Sequence, residues 1–267
     1  MKPDAAQLLS AARLAAGRAA AFLREQEGRM RPEQWSEKAR ADFVTDVDRE
    51  AERLITGVLR ERFPDCVIVG EELSPHLPTP DTRHLAPVFV VDPLDGTTNY
   101  LHRFPEYAVS IGALHEGEML AGVVLHAAYD RSYYASRGAG AWCDGERLSV
   151  SSVTEPRQAL IGTGFPFRDI GQIDLYQRQF AAVVRGAAGL RRPGSAALDL
   201  CHVAAGHYDG FWELRLAPWD VAAGILLVRE AGGVVSDLDG RPSVPSHAPI
   251  VAGSPAIHRW LLATLRG

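Results

Sequence analysis

Over the first 26 positions, apolar residues recur at three- and four-residue steps. Leu8, Ala12, Ala15, Ala19 and Phe22 share one line, and Arg13, Arg18 and Arg24 fall off it. That period predicts an amphipathic helix. The same spacing returns from about Asp48, where Ala51, Leu54, Ile55, Val58 and Leu59 predict a second helix. Thr45 and Asp48 stand three apart at its start, a loose capping box with Asp in place of Glu.

The middle of the chain has a different texture. Val67–Val69, Val88–Val91, Ala108–Leu114, Gly122–Ala128 and Ser132–Ser136 are short, rich in β-branched or aromatic residues and bounded by turn residues, so they predict strands. Beyond Gly145, strand-like runs (Ala159–Gly162, Phe211–Leu214, Val234–Ser236, Ile250–Ala252) alternate with helical runs near 173–185, 196–205, 220–231 and 255–266. Such alternation predicts an α/β half with a largely parallel sheet. A seam near 145–155 then divides the chain into an α+β subdomain with an antiparallel sheet over 1–147 and an α/β subdomain over 148–267.

Composition narrows the function classes. With 267 residues, 46 % apolar and 23 % charged, the chain builds its own core without disulfide staples. It has 28 basic against 33 acidic residues and a net charge of -5. The densest basic group is the pair Arg191 and Arg192, too little for a duplex footprint, so nucleic acid is not an expected partner. Cys66, Cys143 and Cys201 form neither paired CxxC ligands nor a secreted framework. Arginines interrupt every apolar run near the N-terminus, which matches neither a signal peptide nor a membrane span. The expectation is a cytoplasmic protein with no membrane partner.

The chemistry concentrates where acids meet strand ends. Val88-Phe-Val-Val reads as a buried strand running into Asp92-Pro-Leu-Asp95-Gly-Thr97. Pro93 is expected to end sheet pairing, so that Asp92 and Asp95 emerge together. Oxygen ligands with no His or Cys beside them favour Mg²⁺ over zinc, and Gly96-Thr97-Thr98 can open a helix whose amides face an anion. Glu71 follows the strand Val67–Val69, and Asp220 opens the helix Val221–Glu230. Each acid also has an ordinary reading. Asp-Pro and Asp-Gly are common turn dipeptides, Gly70-Glu71-Glu72 suits a solvated turn, and Asp220 suits a helix cap.

Taken together, these stretches resemble the inositol monophosphatase family. Val90-Val-Asp92-Pro-Leu94-Asp95-Gly-Thr97-Thr-Asn-Tyr100-Leu-His102 is similar to its first signature, and Trp219-Asp220-Val-Ala-Ala-Gly through Gly233 to its second. Gly70-Glu71-Glu72, Asp42-Phe-Val-Thr45-Asp-Val-Asp48 and Gly194-Ser-Ala-Ala-Leu198 resemble further motifs in the right order. The resemblance covers nearly the whole chain. It implies an α-β-α-β-α sandwich, a homodimer, and lithium-sensitive hydrolysis of a small phosphate monoester with two or three Mg²⁺ ions. Glu71, Asp92 and the Leu94 carbonyl are implied to hold the first ion; Asp92, Asp95 and Asp220 the second; Glu71 also a third, weaker one. Thr97 paired with Asp48 is implied to position and deprotonate the attacking water.

Gly96 and Thr97 amides are expected to hold phosphate oxygens. Family resemblance further implies that Glu213 reads inositol hydroxyls, with Gly194, Ser195 and Ala196 lining the same pocket beside Asp95 and Asp220. A surface carboxylate is the ordinary reading of Glu213. Ala217 stands where animal members carry a polar residue, a departure that bears on inositol selectivity. The expected reaction is hydrolysis of inositol monophosphate to inositol and phosphate. The alternatives are a relative acting on fructose 1,6-bisphosphate, histidinol phosphate or NADP, or a regulatory binding protein in transcription antitermination.

Overall fold

The computed structural model describes residues 4–30, 33, 35–39, 42–74, 86–167, 169–246 and 249–267. Helix α1 (Ala5–Gln26) starts at Asp4, whose side chain accepts the Ala6 amide, and buries Leu8, Ala11, Ala12, Ala15, Ala16, Ala19, Ala20 and Leu23. Two alanines per turn on that face allow close approach to its neighbours. The stripe read from the sequence is thus broadened, and Phe22 is only half-buried. Strands β1 (Ser36–Ala39) and β2 (Asp42–Val44) pair antiparallel. Helix α2 (Asp46–Arg62) opens on the anticipated Thr45–Asp48 capping box, with both reciprocal bonds made.

A seven-stranded sheet follows: β3 (Val67–Gly70), β4 (Val88–Asp95), β5 (Ala108–His115), β6 (Glu118–His126), β7 (Arg131–Ser136), β8 (Ala141–Cys143) and β9 (Glu146–Arg147), neighbouring one another in chain order. Only the β3–β4 pairing is parallel. The short helix α3 (Thr97–Leu101) lies between β4 and β5.

The second sheet is built from β10 (Leu160–Thr163), β11 (Gly189–Arg191), β12 (Gly210–Glu213), β13 (Val234–Ser236) and β14 (Ile250–Gly253), in the order β11-β10-β12-β14-β13. It is mixed, not largely parallel. β10 runs parallel to β11 and β12, whereas β14 is antiparallel to both β12 and β13. The reason is local: among the described residues no helix separates β13 from β14, and parallel neighbours need a crossover.

Helices α4 (Ile173–Gly186), α5 (Ala196–Ala204), α6 (Pro218–Glu230) and α7 (Pro255–Arg266) complete the layers. α1 and α2 cover one face of the first sheet, α5 and α6 lie between the sheets, and α4 and α7 cover the outer face of the second. Three apolar clusters fill the gaps of this α-β-α-β-α stack. One joins α1 and α2 to the first sheet through Leu23, Ile55, Phe89 and Ile111. The central one unites both sheets around α5 and α6 through Val90, Leu200, Ile225 and Phe211. The third seats Tyr176, Trp212, Val251 and Leu261. Helix α6 is buried almost all round, as a middle-layer helix must be.

Candidate active site

Pro93 does not end the strand. β4 pairs with β5 in register from Val88 opposite Leu114 to Asp92 opposite Ser110, breaks register, and resumes at Asp95 opposite Ala108. Pro93, which has no amide to give the ladder, falls inside this irregularity. The strand therefore carries both aspartates. The neighbour on its other edge, β3, stops pairing at Gly70 opposite Val91, which leaves room there for Glu71. The Glu71 amide bonds the Val91 carbonyl at 3.2 Å.

Asp92, Asp95 and Asp220 each present an oxygen within 4.8 Å of the other two. Asp92 is 1 % exposed. Burial pushes its carboxyl well above the usual range, and Glu71, Asp95 and Asp220 push it further. The Leu94 amide, 3.0 Å from Asp92 Oδ1, acts in the opposite direction. So much negative charge in a dry place is stable only with protons or a cation. An oxygen-only donor set from β4 and α6 fits a hard divalent ion.

Each acid is held by its own backbone partner. Asp95 Oδ2 accepts Ser195 Oγ at 2.5 Å and the Ala197 amide at 2.8 Å. Asp220 is not the first residue of its helix: α6 begins at Pro218, and Asp220 Oδ2 reaches back to the Ala217 amide at 2.6 Å. The capping reading and the cluster reading therefore both describe Asp220. The same duality holds for Asp48, which is 1 % exposed. Its Oδ2 accepts the Thr45 amide at 2.9 Å and hydroxyl at 2.5 Å, and its Oδ1 lies 3.2 Å from Thr97 Oγ1. Thr97 Oγ1 is also 3.1 Å from the Leu94 carbonyl.

These residues open onto one cavity of about 320 Å³, lined among others by Glu71, Thr97, Gly194, Ala196, Glu213 and Asp220. Asp48 sits behind Thr97 and reaches the cavity through it. Gly96 turns the chain with φ of 92°, and a Cβ there would stand 2.8 Å from the Glu106 carbonyl. Ser195 is fully buried, and its hydroxyl is engaged by Asp95 and the Leu198 amide. Glu213, at the end of β12, is half-buried in the cavity wall and not on an open surface. Gly164 leaves it room: a Cβ there would fall 2.0 Å from the Glu213 carboxyl.

Several supporting residues were not singled out from the sequence. Glu52 on α2 is fully buried and accepts the amides of Glu72 at 2.7 Å and Leu73 at 3.1 Å, fixing the turn that carries Glu71. Its signal was present, because Glu52 lies three residues before Ile55 and seven before Leu59, on the buried stripe. Asn99 bridges the halves, donating to the Glu106 carbonyl at 2.7 Å and the Pro193 carbonyl at 3.0 Å. Asp199 is an acid inside an apolar helix and also lines the cavity.

The layered sandwich thus sets clustered acids at the end of β4 against the start of a helix from the second half. The inositol monophosphatase family profile matches residues 4–267, and the chain belongs to that family. It is 45 % identical over 233 residues to the Nus factor SuhB of Pseudomonas aeruginosa, covering 86 % of this chain and 85 % of that protein. It is 40 % identical over 252 residues to the inositol-1-monophosphatase of Mesorhizobium japonicum, covering 94 % and 93 %. The crystal structure of extragenic suppressor protein suhB from Bartonella henselae superposes with a TM-score of 0.88 at 38 % identity, covering 96 % of this chain and 97 % of that one. Among the described residues, no helix is long and apolar enough to cross a membrane.

Proposed function

We propose that this chain is a Mg²⁺-dependent phosphatase that hydrolyses inositol monophosphate to inositol and phosphate. The observation that carries the reading is the triad of buried Asp92 and Asp220 with half-buried Asp95, opening onto a cavity with Thr97 and Glu213 on its walls. Glu71, Asp92, the Leu94 carbonyl, Asp95 and Asp220 would hold two or three Mg²⁺ ions. Bound there, such ions would supply charge neutralisation, a more acidic water and stabilisation of a leaving oxygen.

The chain's own groups do the rest. Asp48 accepts the Thr97 hydroxyl proton, which turns the Thr97 lone pairs toward the cavity to orient the attacking water and take up its proton. Asp48 is held for this role by both bonds from Thr45. The amides of Gly96 and Thr97 face the non-bridging phosphate oxygens. This preorganisation suits a reaction whose loose transition state spreads charge over those oxygens. Glu213 accepts hydrogen bonds from ring hydroxyls, and Gly194, Ser195 and Ala196 line the same pocket. Residues 1–147 supply most cation ligands, and 148–267 supply Asp220 and the substrate wall. We place the protein in the cytoplasm as a homodimer inhibited by lithium.

Phosphate release from inositol 1-phosphate, with and without Mg²⁺, tests the reading against equimolar fructose 1,6-bisphosphate, histidinol phosphate and NADP. Preference for inositol phosphate supports it. Mg²⁺-dependent turnover of another ester keeps the cation site and replaces the substrate, and no turnover of any overturns the enzyme. A second reading, a binding role in transcription antitermination, is favoured by the likeness to a Nus factor. Co-purification with transcription factors supports that role, and failure to recover any rejects it.

A further inference from the structure

Asp199 is the one buried acid of the cavity that the reading above leaves without work. It sits one turn into α5, its amide bonded to the Ser195 carbonyl at 2.9 Å. It is 2 % exposed, lines the cavity, and its Oδ1 is buried with no hydrogen-bond partner. The cation cluster has other members: the oxygens that converge within 4.8 Å belong to Asp92, Asp95 and Asp220. Helix capping does not account for Asp199 either, because Ser195 already fills that position and bonds the Leu198 amide.

A buried polar atom without a partner is a standing cost that proteins rarely carry without a reason. Here the neighbours indicate which partner fits. Burial, Glu213, Asp95 and Glu106 all raise the Asp199 carboxyl, and only Arg192 opposes them. The protonated carboxyl that burial and these neighbours favour offers an O–H. Glu213, on the same cavity wall, offers an acceptor. A sugar or cyclitol hydroxyl both donates and accepts, so a donor beside an acceptor matches a polyol and not an aryl group. A site built to bond a hydroxyl discriminates against a substrate lacking it, because the buried groups are then left unpaired.

We propose that Asp199 is a second hydroxyl-reading residue of the cavity, acting beside Glu213 to select polyol phosphates. The assignment rests on the phosphatase reading. Asp199→Leu keeps the branching and replaces both oxygens with methyls, and Asp199→Asn keeps an N–H donor. Both are assayed in saturating Mg²⁺ with inositol 1-phosphate and with p-nitrophenyl phosphate, alongside thermal melting.

In Asp199→Leu the ratio of kcat/KM for inositol 1-phosphate to that for the aryl ester falls about tenfold, chiefly through KM, and Asp199→Asn retains most of it. Melting of Asp199→Leu stays at or above that of the wild type. If the leucine variant is insoluble, Asp199→Ser replaces it with the same expected split. An unchanged ratio, or equal losses on both esters, overturns the Asp199 assignment while the wild-type activity keeps the phosphatase reading. A wild-type protein inert on both esters overturns the two together.

Discussion

Ser195 Oγ lies 2.5 Å from Asp95 Oδ2, although the two residues are 100 positions apart. The hydroxyl belongs to the N-cap of a helix from the second half, and the carboxylate to the end of a strand from the first. The bond therefore does two jobs: it anchors the helix between the sheets and fixes how Asp95 faces Asp92 and Asp220.

Removing that hydroxyl should loosen the acid before it loosens the fold. Ser195→Ala is expected to weaken Mn²⁺ or Mg²⁺ binding about tenfold, in the range for partners that orient metal ligands. Loss of the cap costs about 1 kcal/mol of stability. Calorimetric titration of Mn²⁺ checks the first number, and an unchanged affinity would mean that the Ala197 amide alone holds Asp95.

Asp95→Asn goes further, because it removes a charged ligand oxygen. Turnover should fall by about 10³-fold or more, as for other groups that stabilise developing charge. Circular dichroism should be unaltered, since Asp95 is half-buried at the cavity edge. Near-wild-type rates at saturating Mg²⁺ would remove Asp95 from the cation site.

Glu52 never reaches the cavity, yet it holds the Glu71 turn by two amides. In Glu52→Gln an NH₂ group must face one of those amides, leaving a buried donor unpaired at a cost of about 1–3 kcal/mol. Lower melting combined with a higher Mg²⁺ requirement for turnover is the expected pair of results. Lower melting with an unaltered Mg²⁺ curve would show that Glu52 serves the fold alone.

The raised carboxyl of Asp92 predicts a link between pH, cation and stability. Without divalent ions, the folded state binds this proton more tightly than the unfolded chain. Stability through this group is then full below the ordinary carboxylate range and declines as pH rises toward the raised folded value. A cation must displace that proton. The rise in melting temperature on adding Mg²⁺ should accordingly be larger at pH 8 than at pH 5. An equal rise at both would mean that Asp92 is already ionised in the free protein.

Gly164→Ala places a methyl where the Glu213 carboxyl sits. Displacing Glu213 should raise KM for inositol 1-phosphate more than for p-nitrophenyl phosphate, by about tenfold for one lost hydrogen bond. Matching changes on both esters would detach Glu213 from hydroxyl recognition.

Local rules made much of the protein readable in advance. The 3–4 period of α1 and α2, the Thr45–Asp48 box and the acids following Val69 and Val91 all depend on neighbours a few residues away. The sequence also bears on the second sheet: the runs Val234–Ser236 and Ile250–Ala252 have no helical run between them, which excludes a direct parallel crossover. Single residues carried less information. Asp48 and Asp220 read equally well as caps or as functional acids, and in the fold each makes a cap bond while facing the site.

Tertiary structure alone decided what meets what. Asp220 reaches Asp92 because α6 is apolar on all sides and can be buried only between two sheets. That burial brings a helix start from one half against a strand end from the other. The choice of the Glu72 and Leu73 amides as partners of Glu52 and the placement of Asp199 at the cavity wall share this cause. They are contacts across the layers, set by which apolar faces must be covered, and no spacing along the chain encodes them.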